Sequence, residues 1–179
     1  YVVRQGELIR DDTDNSAGFV YDMLLIDSEG DFHVVNSATT ESIDAYVAEY
    51  LTPLGRTIYN TFNCGPVLVQ NGRVPLIAQS EAAINESYEW RLPCQRQCIL
   101  QTGPLEYAIV EVAGEGGETT GFTMTEFAEY VAEKFPDAIL ASTLAGGHAT
   151  SLIAWKNAET AQGERICFTP TPKLITDLL

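Results

Sequence analysis

Residues 96–112 read RQCILQTGPLEYAIVEV. Two runs rich in apolar residues, 96–101 and 105–112, lie on either side of Thr102-Gly103-Pro104. Glycine and proline between two such runs are typical of a turn that joins two strands. The segment therefore predicts a strand, a tight connection and a second strand.

Turn signals between apolar runs recur along the rest of the chain. Asn71-Gly72 is a strong signal for a two-residue turn, and it separates a predicted strand over 66–69 from another over 74–78. The same pattern predicts shorter hairpins over 1–10 and over 19–35. Three further strands are predicted over 138–144, 152–155 and 165–168.

Two segments have the apolar spacing of helices. The first begins near Thr40 and ends before Gly55. The second begins with a capping box formed by Thr123 and Glu126, and Pro136 ends it. Many hairpins, two helices and few β-α-β repeats predict an α+β fold, with a mixed, largely antiparallel sheet built from hairpins and two main packed helices.

Length and charge limit the classes of function. The 179 residues suffice for one domain over 1–179, and 25 Asp and Glu against 10 Lys and Arg give a net charge of −15. This charge repels nucleic acid, and no apolar run is long enough for membrane insertion. Four cysteines and two histidines fit a zinc site poorly, so buried thiols or disulfides are expected and no metal or cofactor is predicted.

Two local patterns are candidates for chemistry. The run LAGGHATS, residues 144–151, follows a predicted buried strand, and its paired glycines allow a close backbone approach to a ligand or simply a tight turn. Within it, His148 is a candidate general base, or a plain polar loop residue. Arg96 enters an apolar strand, where a guanidinium requires either a bound anion or a structural ion pair.

Several segments, taken in order, resemble the phosphodiester glycosidase family. Residues 62–72, FNCGPVLVQNG, are similar to its Gly-Pro-x-Leu-Val hairpin that ends in Asn/Asp-Gly. Residues 95–99, QRQCI, resemble its Pro-Arg-Thr-Ala-Ile strand, and residues 121–128, GFTMTEFA, its Gly-x-Thr-x-x-Glu-Leu-Ala helix start. Residues 175–179, ITDLL, resemble its closing Ser-Asp-Ile-Leu. The resemblance covers nearly the whole chain.

This resemblance implies a pocket for a sugar linked through its anomeric carbon to a phosphodiester. The positions that match the family, and are predicted to bind the anion and the sugar, are Gly65, Arg96, Gly146, Gly147 and Thr150. Where the family has two aspartates, this chain has Ala113 and Ala145, and a methyl group transfers no proton. If the reaction survives, His148, Glu106 and Glu111 are predicted as substitute catalytic residues.

Three functions stay open at this point. The first is a degenerate family member that binds a glycan or phosphosugar ligand. The second is an active phosphodiester glycosidase that uses substitute residues, and the third is a non-catalytic surface or partner-interaction domain. The family's upstream Asn-Gly-x-Phe/Tyr segment has no counterpart in the sequence given, which leaves three alternatives: a truncated or cleaved domain, a shortened variant, or a domain that another chain or segment completes. The family and the sequon Asn85-Glu86-Ser87 favour an extracellular or cell-envelope location.

Overall fold

The computed structural model describes residues 1–11, 22–63, 65–75, 88–112, 120–146, 153–156 and 164–167. Within these ranges the strands form four sheets, and each recorded strand pair is antiparallel. The strands are β1 Val2–Arg4, β2 Glu7–Arg10, β3 Met23–Asp27, β4 Phe32–Val35, β5 Ile58–Phe62, β6 Val67–Gln70, β7 Arg96–Gly103, β8 Glu106–Val112, β9 Leu140–Gly146, β10 Ile153–Lys156 and β11 Glu164–Cys167. The α-helices are α1 Thr40–Tyr46, α2 Tyr88–Arg91 and α3 Met124–Lys134. This architecture confirms the predicted α+β fold.

The largest sheet has the strand order β6-β9-β7-β8, and α3 packs against one of its faces. The predicted capping box starts α3: the Thr123 hydroxyl accepts a hydrogen bond from the Glu126 amide, and the Glu126 carboxylate accepts one from the Thr123 amide. Met124, Phe127 and Val131 are buried on the sheet side of the helix. Full burial of a side chain of this size contributes about 1.5–3 kcal/mol, so this contact fixes the helix on the sheet. The sheet contributes Leu68, Val69, Cys98, Leu100, Val112 and Ala141 to the same core cluster.

A second sheet has the order β4-β3-β5. The β3–β4 hairpin predicted from the sequence is confirmed, with Cα partners from Met23 and Val35 to Ile26 and Phe32. Beside it, α1 is followed by a π-helical turn, Val47–Leu51, and by a 3₁₀ turn. The sequence therefore located this helical segment correctly, but its last two turns depart from α-helical hydrogen bonding.

The two larger sheets contact each other through a small core cluster. Leu24, Phe32 and Val34 come from the second sheet, and Val67 and Leu140 come from the largest one. All five side chains are buried. The cluster places the β3–β4 hairpin against the sheet face that lies away from α3. No helix in the described part of the chain is long and apolar enough to span a membrane.

The predicted hairpin at Asn71-Gly72 is only half correct. Both residues have positive φ, 52° and 69°, as the turn requires, and Gln70 and Arg73 form an isolated antiparallel bridge. The second strand does not begin at Val74, and residues 76–78 lie outside the described residues. Pro75 offers no N–H to a ladder, and β6 pairs with β9 instead.

Candidate functional site

Three strand ends meet at one end of the largest sheet, which we call the Arg96 end. β7 begins there with Arg96, whose Cα partners are Val112 on β8 and Gly146 on β9. Because β7 is antiparallel to both neighbours, its first residue lies beside their last residues. Sheet pairing thus brings together Arg96 and Gly146, two of the residues predicted to bind a ligand. Gly65 lies further along the sheet, because Val67 of β6 pairs with Ser142, four residues before Gly146 on β9.

Arg96 is almost completely buried, with 3% of its surface exposed. Its Nε donates a hydrogen bond to the Phe122 carbonyl at 3.0 Å, and its Nη2 donates one to the Leu92 carbonyl at 2.8 Å. Phe122 precedes α3, and Leu92 precedes β7. The guanidinium therefore links the segments before α3 and before β7 to the end of the sheet. The two carbonyls in turn fix the orientation of the planar guanidinium.

A close backbone contact beside Arg96 reinforces this tie. Cys94 and Phe122 exchange two backbone hydrogen bonds of 3.1 Å. Gly121 has φ of 120°, and a Cβ there would lie 2.3 Å from the Cys94 carbonyl oxygen. Only glycine fits this position, so the segment before α3 is held firmly against the segment before β7.

Gly65 occupies an equally tight position at the start of β6. A Cβ at Gly65 would lie 2.7 Å from the Asp22 amide nitrogen and 2.8 Å from its carbonyl oxygen. The Asp22 carboxylate accepts hydrogen bonds from the amides of Ser37 at 3.0 Å and Val67 at 3.1 Å. No local pattern of the sequence indicates this role of Asp22, because its partners lie 15 and 45 positions further along the chain.

The two predicted catalytic acids, Glu106 and Glu111, both lie on β8, but neither lies beside the guanidinium of Arg96. Glu111 pairs with Gln97, one position along β7 from Arg96, so it lies at the Arg96 end. Adjacent residues of a strand point to opposite faces, and Val112, the partner of Arg96, belongs to the core under α3. Glu111 therefore points away from α3 while Arg96 points toward it. Glu106 pairs with Gly103 at the other end of β7, about 24 Å from Arg96 at 3.4 Å per residue.

The glycine-rich run is described only in part. Gly146 is the last residue of β9 and lies opposite Arg96, and the backbone of Ala145 lies opposite Gln97. Gly147, His148, Thr150 and Ala113 lie outside the described residues, so their predicted roles stay predictions.

A charged network that the sequence did not predict lies in the β3–β4 turn. Asp27, with 1% of its surface exposed, accepts hydrogen bonds through Oδ1 from the amides of Glu29 and Asp31, both at 2.9 Å. Its Oδ2 lies 2.9 Å from His33 Nε2 and 2.8 Å from Arg56 Nη1. The turn sequence DSEGD, residues 27–31, contained the local signal, since Asp at the start of a turn commonly binds the amides that follow.

These contacts determine the ionisation of Asp27. Burial acts to raise the pKa of its carboxyl group, but hydrogen bonds from His33, from the Asp31 and Glu29 amides and from Arg56 outweigh burial. The pKa of Asp27 therefore lies below its ordinary value of 3.8. The group is a charged structural anchor, because its four acceptor sites are all occupied by the protein.

The network extends to the largest sheet through Gln101 of β7. Gln101 Nε2 donates to Asp31 Oδ1 at 3.0 Å, and Gln101 Oε1 accepts from the Phe32 amide at 2.8 Å. Gln101 lies about 17 Å along β7 from Arg96, at 3.4 Å per residue. The network is therefore distinct from the Arg96 end.

Two cysteines in the described ranges, Cys94 and Cys98, are free thiols. Cys94 and Cys98 are not joined in a disulfide, and burial raises the pKa of the Cys98 thiol to about 12. Cys98 packs in the core under α3 and behaves as an apolar side chain. In the described ranges, no three His, Cys, Asp or Glu side chains come close enough to hold a metal ion.

Comparisons with known proteins agree with the resemblance read from the sequence. A family model described as phosphodiester glycosidase matches residues 1–172. Among solved structures, the chain is similar to the catalytic domain of zebrafish N-acetylglucosamine-1-phosphodiester alpha-N-acetylglucosaminidase, auto-inhibited by its pro-peptide, with a TM-score of 0.59 and 13% identity. The similarity covers 84% of this chain and 46% of that chain, so the present chain spans less than half of the solved relative. At this identity the likeness concerns the fold. None of the curated proteins compared with the chain matches it.

Proposed function

Because the chain belongs to the phosphodiester glycosidase family, we propose that it is a degenerate member, which binds a sugar phosphodiester or a related glycan without efficient hydrolysis. One observation carries this proposal. Arg96 and Gly146, two positions that match the family, are paired at the Arg96 end, yet alanine occupies the two positions, 113 and 145, where the family has aspartate.

The chemistry of the reaction explains why the two alanines matter. Cleavage at an anomeric carbon develops positive charge on the sugar ring and negative charge on the departing phosphate. A carboxyl group is needed to transfer a proton or to activate water, and a methyl group does neither. Binding needs no proton transfer, since a guanidinium pairs well with a phosphate group and glycine backbone allows close contact with a sugar. The resemblance supports this role for Arg96, whose guanidinium is buried and donates to two carbonyls.

Binding and turnover separate the proposal from its alternatives. Calorimetry with N-acetylglucosamine 1-phosphate tests binding, and a fluorogenic N-acetylglucosamine phosphodiester tests turnover. We expect binding without turnover in the natural chain. We also expect measurable turnover in the double variant Ala113→Asp/Ala145→Asp and none in Ala113→Asn/Ala145→Asn, because asparagine matches the size of aspartate but transfers no proton.

The binding and turnover experiments can each contradict the proposal in a different way. Turnover by the natural chain that Arg96→Ala abolishes and the exposed-site control Arg91→Ala preserves would contradict the degenerate assignment. No binding of any sugar phosphate would instead favour the partner-interaction domain.

A second candidate is an active enzyme with a substitute acid. Glu111 favours it, because this half-buried carboxylate lies at the Arg96 end, opposite Gln97. The matched pair Glu111→Gln and Glu106→Gln tests it, since the second residue lies at the far end of the same strand. Loss of natural turnover in the first variant alone would establish the substitution. His148 remains a further candidate, and His148→Ala belongs in the same assay.

The proposal includes the setting of the domain. An extracellular or cell-envelope location fits a glycan ligand and the sequon at Asn85. Detection of an N-glycan at Asn85 by mass spectrometry of the natural protein would support a secretory route in a eukaryotic source.

A further inference from the structure

An open groove of about 720 Å³ lies beside the free edge of the largest sheet, far from the Arg96 end. Its walls come from the β3–β4 turn, from β5 and from the β7–β8 hairpin. Large apolar side chains line it although much of their surface is in solvent, namely Tyr59, Leu105, Tyr107 and Ile109, at 42–69% exposure. The groove therefore offers apolar area to a ligand.

The side chain of Tyr107, which forms one wall of the groove, is held in place by two contacts. Its hydroxyl donates a hydrogen bond of 2.8 Å to the Gly30 carbonyl, and its ring stacks on Phe32 with centroids 5.1 Å apart. These contacts join β8 to the β3–β4 turn across the floor of the groove. A ligand would meet a preformed surface rather than a collapsed one.

The edge itself is β8, the outermost strand of the order β6-β9-β7-β8. Among the described residues, no backbone hydrogen bond joins the outer side of β8 to another segment. Proteins usually protect a long edge with lysine, proline or a bulge. Glu106–Val112 contains neither lysine nor proline, and its pairing with β7 is regular from Arg96 to Gln101. In the part of the chain that the structure describes, this edge is therefore not paired with a further strand.

Groove and edge together indicate the shape of the occupant. Tyr107 and Ile109 are two residues apart on β8, so both point to the groove side of the sheet. A strand added to this edge would form backbone hydrogen bonds with β8 and would place every second side chain over the groove. An extended polypeptide therefore uses both features, whereas a compact ligand would use the groove alone.

Charge indicates the composition of the occupant. Glu29 is exposed in the groove, Glu106 is exposed on β8 on the face opposite Tyr107, and the chain has a net charge of −15. A second copy would bring the same charge and the same acidic side chains, which disfavours self-pairing. We propose that β8 and its groove bind an extended segment of a basic partner protein, with apolar side chains at alternate positions and Lys or Arg next to Glu106.

Defined peptides test this pairing on the full chain. The probe is a fluorescein-labelled, end-blocked peptide of alternating valine and threonine with two lysines at each end, followed by fluorescence polarisation. We expect binding that weakens at least about tenfold when glutamates replace the lysines. Two further probes are N-methylated at odd or at even amides. An added strand uses only alternate N–H groups on one edge, so one methylated probe should bind and the other should not.

Matched variants locate the surface. Ile109→Lys places a charge on the groove side of β8 and should weaken binding at least about tenfold. Ile139→Lys changes an equally exposed isoleucine, 43% against 42%, outside the groove and should leave binding unchanged. Thermal unfolding of both variants checks that the fold persists.

Three results would overturn the proposal: no binding at about 1 mM probe, equal binding of both methylated probes, or equal loss in both isoleucine variants. A dimer of the natural chain that Ile109→Lys dissociates in ultracentrifugation would assign the edge to a second copy instead. Sugar phosphate binding is measured separately, so either proposal can fail alone.

Discussion

The Asp27 network and the Arg96 end are both buried polar centres, but they are built in different ways. Asp27 receives its hydrogen bonds from Glu29, Asp31 and His33 in its own hairpin and from Arg56. The Arg96 end is assembled from three strand ends and from connections that precede β7 and α3. One centre is mostly local in sequence, and the other is a product of sheet register.

The two centres therefore differ in role: one stabilises the fold, and the other is the predicted ligand site. Every acceptor site of the Asp27 carboxylate is used by the protein, so the group stabilises a turn and offers nothing to a ligand. The Arg96 end combines a fixed, buried cation with Gly146, its Cα partner on β9, and the resemblance assigns both residues to the ligand site. We therefore expect substitutions at the two centres to separate stability from ligand binding.

The largest expected effect is the loss of stability in Asp27→Ala. Removing one partner of a buried ion pair leaves the other partners uncompensated, which costs about 3–5 kcal/mol of unfolding free energy. Urea unfolding measures the loss. Asp31→Ala is the matched control, because Asp31 also binds Arg56 but is 36% exposed, and it should cost about 1 kcal/mol. Sugar phosphate affinity should stay the same in Asp31→Ala; a clear loss of affinity there would contradict the separation of the two centres.

The same contrast between local contacts and sheet register explains which elements the sequence could predict. The β3–β4 and β7–β8 hairpins and the capping box at Thr123 depend on neighbouring residues, and all three are confirmed. The strand predicted over 74–78 does not begin at Val74, and its residues 76–78 lie outside the described part of the chain; the recorded partner of β6 is β9, a pairing no local pattern encodes. Turn signals fix the direction of a chain but do not choose the strand that completes a sheet.

The candidate site was predictable only in part. The identities of Gly65, Arg96 and Gly146 came from the resemblance to a family, whereas the pairing of Arg96 with Gly146 came from the register of β7 and β9. Residue spacing did not reveal that Glu106 and Glu111 lie at opposite ends of one hairpin. It also missed the role of Asp22, whose carboxylate binds two amides in distant segments.

A smaller effect is expected from Gly65→Ala. The new Cβ would lie within 2.9 Å of three Asp22 atoms, two of them backbone, and such overpacking costs about 1–3 kcal/mol. Because relief requires the start of β6 to shift, and the resemblance assigns Gly65 to the ligand pocket, sugar phosphate affinity should fall as well. Gly72→Ala is the control: its φ of 69° strains an alanine by about 1–2 kcal/mol, but nothing lies within 4 Å. Calorimetry that shows equal affinities for the two variants would remove Gly65 from the site.

The smallest effect is a change in acid sensitivity at the Asp27 network, and its sign follows from linkage. The pKa of Asp27 is lowered below 3.8 in the folded state, so its carboxylate contributes stability that is fully present above the unfolded pKa. That contribution is lost as pH falls through the folded pKa. Asparagine does not titrate, so the difference in unfolding free energy between the natural chain and Asp27→Asn should shrink from about pH 6 to about pH 3.

Urea unfolding across this range measures the convergence, with Glu133→Gln as the control. The pKa of Glu133 is also lowered, by its hydrogen bond to Lys134, but both side chains are largely exposed. Water screens such a pair, so its removal should change stability little at any pH. If the Asp27→Asn difference were constant with pH, the hydrogen bonds to Asp27 would not favour its charged form. The network would then stabilise the β3–β4 turn through the geometry of its hydrogen bonds alone, and the charge of Asp27 would add nothing to stability.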